Sequence, residues 1–243
     1  MKKSVLFLLA FLLTTSVFAQ KLYKAVEAGD TEKVKTLLKK GANVNEYAAD
    51  GLFPLWRAAA DNNYDIAALL LQNGAKVNQL DKVEPLLSTS LEICCQEGYL
   101  KMITLLVDNG ADVNRKGFHD FTPIRIAARN GHIDTVKYLA DKGAVVDQKA
   151  TDGATPLEHS SFKGHLEVVK FLIAKGANVN NKDKEGDFPL GEAARGNHIQ
   201  IMQALIDNGA DVTLKNNKNE SALDLARAAK QNQAVELLLK YSK

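Results

Sequence analysis

Apolar residues recur along this chain in a stripe of helical spacing that restarts unit after unit. Val169, Leu172 and Ile173 stand at i, i+3 and i+4, one face of an amphipathic helix over Leu166 to Lys175. The same trio returns as Val34, Leu37, Leu38, then Ala67, Leu70, Leu71, and then Ile103, Leu106, Val107. It continues as Val136, Leu139, Ala140, then Met202, Leu205, Ile206, and ends with Val235, Leu238, Leu239. Each large aliphatic side chain buried there contributes about 1.5–3 kcal/mol relative to exposure. Six of these stripes run into Gly-Ala, followed two residues later by a branched residue and a small polar one. These dipeptides start at Gly41, Gly74, Gly110, Gly143, Gly176 and Gly209, at intervals of 33, 36, 33, 33 and 33 residues. A glycine there closes the helix in a left-handed cap.

A shorter helix precedes each stripe. In the stretch from Asp152, Asp152-Gly153 signals a turn, Thr155 can cap a helix, and Pro156 fits the first helical position. That helix runs through Phe162 and ends near Gly164. The turn between the two helices uses Gly29, Asn62, Gly98, Gly131, Gly164 and Asn197, while the hairpin tip uses Gly51, Gly153 and Gly186, with Asp120 and Asn219 as substitutes. All are residues that accept positive φ more readily than most. A fixed period in this range predicts an all-α solenoid: stacked helix-turn-helix units joined by β-hairpin-like loops, none able to bury its apolar face alone. Seven units including caps are expected, over approximately 21–45, 46–78, 79–114, 115–147, 148–180, 181–213 and 214–243, forming a single repeat domain over 20–243.

The pieces Thr122-Pro123-Ile124, Ala127-Ala128 and Gly131-His132, then Thr155-Pro156-Leu157 and Gly164-His165, resemble the ankyrin repeat, with Phe53-Pro54-Leu55 and Phe188-Pro189-Leu190 matching less closely. The resemblance spans Lys21 to Lys243. It implies a protein-binding function exercised through the hairpin tips and the exposed face of each first helix. Two departures stand out. The histidine of the family's Thr-Pro-Leu-His step is replaced by Trp56, Glu92, Arg125, Glu158, Gly191 and Asp224, which leaves open the inter-repeat hydrogen bonds it makes in the family. The third unit also carries three extra residues, placed in its hairpin before Thr89, so that Cys94-Cys95 align with the Ala-Ala pair and Pro85 falls in an enlarged loop.

Residues 1–19 fit a secretory signal peptide. Lys2 and Lys3 precede an apolar run from Val5 to Leu13, and Val17-Phe18-Ala19 supplies a cleavage site before Gln20. Nine apolar residues fall short of the ~20 that cross a bilayer. The mature protein is therefore expected to be periplasmic or secreted, a monomer, with no membrane insertion after cleavage. The chain has 31 basic and 29 acidic residues, and loss of Lys2 and Lys3 makes them equal. A neutral mature chain has no general pull on nucleic acid or anionic lipid.

Candidate chemistry is sparse. His132, His165 and His198 recur with the period, but helices about 8–10 Å apart cannot bring them to one metal, whose ligands stand at about 2 Å. A role at the helix-helix turn is expected for them, and His119 and His159 form no metal motif. Cys94 and Cys95, adjacent within a helix, read as core residues replacing Ala-Ala, with a thiol-dependent role in oxidative stress as the rival. No nucleophile elbow, phosphate loop or His-Glu-x-x-His is present. No catalytic residue, cofactor or metal is therefore assigned.

The positions free of packing duty are the candidate partner-binding residues. They are Tyr47, Asp50, Leu52 and Asp61, Gln96, then Phe118, His119, Phe121 and Arg129, then Phe162 and Lys163, and finally Asp187 and Arg195. Tyr47, Leu52, Phe118 and Phe121 place large apolar groups where solvent is expected, either as interface anchors or as loop side chains folded back. Lys116, Lys149, Lys182 and Lys215 recur at one position per repeat, as a solvated stripe or a guide for an acidic partner. The expected function is a non-catalytic adaptor in the cell envelope or outside it, binding a protein, as an inhibitor or protective partner of another envelope protein. Binding of a peptide or cell-wall fragment is the further alternative.

Overall fold

The computed structural model describes residues 20–84 and 87–241, the side chain of Phe118 excepted. The leader expected over 1–19, Pro85 and the boundary at Lys243 lie outside the described residues. The helices come in pairs. In chain order they are α1 (20–27) and α2 (Thr31–Lys39), α3 (Pro54–Ala60) and α4 (Tyr64–Gln72), α5 (Ser90–Glu97) and α6 (Leu100–Asp108), and α7 (Pro123–Arg129) and α8 (Ile133–Asp141). The remaining pairs are α9 (Pro156–Lys163) and α10 (Leu166–Ala174), α11 (Pro189–Arg195) and α12 (Ile199–Asp207), and α13 (Ala222–Ala228) and α14 (Asn232–Leu239). Among the described residues no strand forms, and one isolated bridge joins Lys215 and Ser221.

Contacts divide the chain into two compact units. One holds the described residues up to Cys94 together with Tyr99–Asp112, and the other holds Cys95–Gly98 and the chain from Val113 onward. In the first, α4 lies against α2, α3 and α6. In the second, α9 lies between α7 and α11, α11 packs against α13, and the longer helices α8, α10, α12 and α14 each touch the next.

The glycines and asparagines expected at turns have the left-handed conformation: φ is 81° at Gly164, 87° at Gly176 and 57° at Asn197, and Lys230 takes the same turn position in the last pair at 57°. Each hairpin closes on one backbone bond from residue i to i+4, as from Ala150 N to Ala154 O (3.1 Å) and from Asp183 N to Asp187 O (3.0 Å). In the third repeat the matching bond joins Asp81 N to Ser88 O (3.0 Å), seven residues apart, so the three extra residues sit in the hairpin.

The buried stripe is rotated by one residue from the expected trio. Val168, Val169 and Leu172 are fully buried while Ile173 is half-buried, and the same holds for Ile66, Ala67, Leu70 against Leu71 and for Ile201, Met202, Leu205 against Ile206. In the second helix of each pair from α4 on, the residue before the trio is buried, whereas in α2 it is the exposed Lys33; the third member of each trio is never fully buried. In α14 that third member, Leu239, is 46% exposed.

An asparagine after four of the Gly-Ala dipeptides fastens one repeat to the next. Asn45 Nδ2 donates to Gly74 O (3.0 Å) while its Oδ1 accepts from Lys76 N (2.7 Å). Asn78 does the same with Gly110 O and Asp112 N, both at 2.9 Å. Asn114 meets Gly143 O and Val145 N at 2.9 Å, and Asn180 meets Gly209 O (3.0 Å) and Asp211 N (2.8 Å). Asp147 stands in the same place and has no N–H to donate: it accepts from Asn178 N at 3.3 Å, and its Oδ1 is buried without a partner. Burial pushes its carboxyl above the usual range, against the Asn178 N–H that favours the charge.

Candidate functional site: an acidic concavity in the second unit

Among the predicted binding residues of the first unit, Tyr47 and Leu52 are half-buried. The Tyr47 hydroxyl donates to Leu80 O (2.9 Å), its ring meets Phe53 edge-on at 6.1 Å, and Lys82 Nζ lies 4.1 Å above it. Tyr47 is therefore a loop aromatic folded back onto its neighbours. Asp50 accepts from Tyr23 Oη at 2.9 Å, and burial and that carboxylate hold the Tyr23 phenol at a pKa of about 12. Asp61 pairs with Arg57 Nε at 2.7 Å.

In the second unit, His119 holds a positive φ of 54° in the short turn Phe118–Asp120, and its carbonyl accepts from Thr151 N at 3.0 Å. Phe121 is folded back like Tyr47: the Arg125 guanidinium lies 3.8 Å from its ring centre, and His159 meets it edge-on at 6.3 Å. Gln96, Arg129 and Phe162 lend their carbonyls to His132, His165 and His198 at 2.8, 3.1 and 3.1 Å. The periodic histidines thus brace the C-terminal end of the preceding first helix. Their rings pass over Gly98, Gly131 and Gly164, where a Cβ would come within 2.5–2.6 Å of the imidazole. The stripe lysines Lys116, Lys149, Lys182 and Lys215 are all exposed. Cys94 and Cys95 are buried thiols at 0% exposure in the Ala-Ala positions, with Cys94 Sγ 3.8 Å from Ala59 O.

Phe162, Asp187 and Arg195 come together, and with them four residues that were not among the candidate binding residues: Glu158, His159, Asp183 and Glu192. They line a concavity of about 250 Å³. Phe162 is 44% exposed at its rim, with Lys163 Nζ 5.3 Å from its ring centre. Arg195 spans two of the four carboxyl groups, at 2.7 Å from Glu192 Oε1 and 3.4 Å from Asp187 Oδ1. Asp183 turns its Oδ1 to the N–H groups of Glu185 and Asp187, at 2.9 and 2.8 Å.

Glu158 differs from the acids at the equivalent position of other repeats. Asp224 turns back onto its own helix start, accepting from Ser221 N at 3.0 Å, and Glu92 does the same with Thr89 N at 2.7 Å. Each closes a capping box. Glu158 leaves its helix start to Thr155 and takes Asn181 Nδ2 instead, 3.2 Å from Oε2. It is 4% exposed and lines the concavity, and among the described residues no donor reaches its Oε1. Asn181, 2% exposed behind it, has an Oδ1 without a partner.

Burial, with Asp183 next, raises the Glu158 pKa to about 9, so the carboxyl is protonated at neutral pH. Burial likewise brings Glu192 to about 7, Arg195 opposing. His159 is pushed down to about 4 by burial and by Arg125. The neutral ring leaves Nε2 to accept from Arg125 Nη2 at 3.1 Å, while Arg125 also holds Asp152 Oδ2 at 3.1 Å. Arg125 is itself 1% exposed, and its Nε and Nη1 have no partner. Four carboxyl groups thus share one lining guanidinium, a surplus of acid held in partial burial.

Against known proteins, the family model described as ankyrin repeats (3 copies) matches residues 22–117, 91–183 and 177–243. The chain belongs to the ankyrin repeat family, and its fold is the ankyrin repeat fold. The crystal structure of the human ASB11 ankyrin repeat domain superposes with a TM-score of 0.79 at 29% identity, covering 89% of this chain and 96% of that one. An ankyrin repeat and KH domain-containing protein of Caenorhabditis briggsae is 38% identical over 92 residues, 37% of this chain and 4% of its own length. The B-cell lymphoma 3 protein homolog of Mus musculus is 34% identical over 104 residues, 42% of this chain and 22% of its own length. The matched stretches are thus a small part of these relatives. Repeats of this family are protein–protein interaction modules in general, and the fold is typically a non-enzymatic scaffold. Among the described residues no helix is long and apolar enough to cross a membrane.

Proposed function

We propose that this chain is a non-catalytic protein-binding module that acts as a monomer in the periplasm or outside the cell, and that its docking face is the hairpin and first-helix side of the second unit. One observation carries the reading: an exposed aromatic, Phe162, stands at the rim of a concavity with more acid than its own cations compensate. Aromatic anchors beside desolvated charges are what interface energetics concentrate on. A repeat scaffold presents them preorganised, so little ordering entropy is lost on association. The location rests on the leader-like composition of residues 1–19. An inhibitory or protective role toward another envelope protein is the form we favour. Cys94 and Cys95, buried at 0% exposure, lend no support to a thiol-based role.

The test is site-specific photocrosslinking. With benzoylphenylalanine at position 162, a defined protein should be captured in the native compartment, and the same probe at exposed Lys170 on α10 should not capture it. Equal capture from both positions, or none from 162, refutes the assignment of this face.

A further inference from the structure

Resting on the protein-binding reading above, we infer that the concavity receives an arginine side chain of the partner, whose guanidinium bridges Glu158 and Asp183 and lies against Phe162. The acid left unserved points to a cation. Arg195 already covers Glu192 and Asp187, whereas neither Glu158 nor Asp183 has a cation within ion-pair distance among the described residues. Glu158 is the decisive group, because a carboxyl 4% exposed and served by one donor, Asn181 Nδ2, is costly to ionise. The capping box used by Glu92 and Asp224 would have relieved that cost locally, and Glu158 does not take it. Its unserved Oε1 sits in the wall of an open concavity, where a donor from outside can reach it.

The choice of guanidinium over ammonium follows from the groups that line the site. A planar fork bonds two carboxylate oxygens at once and stacks on an aromatic face, which a compact ammonium does less well. The protein uses that combination one repeat earlier: Arg125 lies over Phe121 at 3.8 Å and holds Asp152 at 3.1 Å. Phe162, Glu158 and Asp183, at other positions of the repeat, supply an aromatic and carboxyl groups of the same kinds to one concavity.

Occupancy is coupled to a proton. The groups facing Glu158 are Arg125 from α7, His159 on its own helix, Asp183 and Asp187 from the following hairpin, and Glu192 and Arg195 from α11. With His159 neutral and Arg195 engaged, the empty site keeps Glu158 protonated. An entering guanidinium favours the carboxylate, and the Glu158 proton leaves to solvent.

The probes are N-acetyl-arginine amide, its neutral isostere N-acetyl-citrulline amide, and N-acetyl-lysine amide, titrated into the isotope-labelled full-length mature chain and followed by amide shifts. The arginine probe should give saturable shifts confined to 154–195, tightening as pH rises from 6 to 8 by up to about tenfold per unit. The citrulline probe should leave those amides in place, and the lysine probe should bind several-fold more weakly. Glu158→Gln keeps an acceptor for Asn181 and resembles the protonated acid, so it should fold unchanged and weaken arginine binding about tenfold or more. Citrulline shifts equal to those of arginine, or unchanged affinity in Glu158→Gln, overturn the inference. Lysine binding as tight as arginine overturns the guanidinium assignment. Failed probes beside a successful crosslink from position 162 sink the arginine anchor and leave the docking face standing. Probes that bind as expected beside no crosslink sink the docking face instead.

Discussion

Glu158→Gln also makes a stability experiment with a definite sign. The Glu158 pKa is about 9 in the fold against an ordinary 4.5, so the folded chain keeps a proton that the unfolded chain gives up. The contribution of such a group is whole below about pH 4.5, declines as pH rises, and is lost by the time pH has passed through the folded value. At about 1.4 kcal/mol per pH unit, some 3 kcal/mol has gone by pH 7. Glutamine cannot ionise and still accepts from Asn181 Nδ2 through its carbonyl, so its contribution stays flat. Urea unfolding followed by far-ultraviolet circular dichroism, from pH 4.5 to 9, should show the two proteins close together in acid. The variant should be the more stable by about 3 kcal/mol at pH 7, with the gap widening further above that. His159 at about 4 removes stability as pH falls below its ordinary 6.5, and Glu192 at about 7 behaves like Glu158; both titrate in either protein and largely cancel in the difference. A difference that does not change with pH, or a wild type that gains on the variant as pH rises, refutes the burial argument.

Asp147→Asn should restore the missing donor to Gly176 O and relieve a buried, unpartnered carboxylate oxygen, raising stability by about 1 kcal/mol in the same urea assay. Gly131→Ala should cost clearly more than Gly143→Ala. Both residues have positive φ, at 78° and 90°, but a Cβ at 131 would stand 2.6 Å from His165 Nδ1 while one at 143 meets nothing within 4 Å. The Gly143 change should therefore lose about 1 kcal/mol of backbone strain alone, and thermal unfolding of the pair reads the difference.

The fold was legible because every repeat states it again: the left-handed positions at Gly164, Gly176 and Asn197 follow from residue type and spacing. The extra residues of the third repeat were placed correctly for the same reason, since Cys94-Cys95 could align with Ala-Ala in one register. The stripe's rotation was not legible, because the i, i+3, i+4 pattern does not say how many neighbours flank the helix. The lining of the candidate concavity was legible in part. Exposed Phe162, with Asp187 and Arg195, came from positions the fold leaves free, whereas Tyr47 and Phe121 occupy such positions and turn inward to partners the sequence does not announce. Glu158 was noticed as a substitute for the family's histidine, and nothing in the sequence separates it from Glu92 and Asp224. Whether such an acid caps its own helix or reaches across to Asn181 is decided by tertiary contacts.

The asparagine ladder has a bearing on how such a chain can change length. Four joints use the same asparagine fastener, Asp147 being the exception, so excising 115–147 would bring Asn114 opposite Gly176 in the relation it now has with Gly143. Whole modules can therefore be gained or lost without redesigning a seam. A change in length other than a whole repeat would put every later fastener out of step, unless confined to a hairpin tip, as in the span from Asp81 to Ser88.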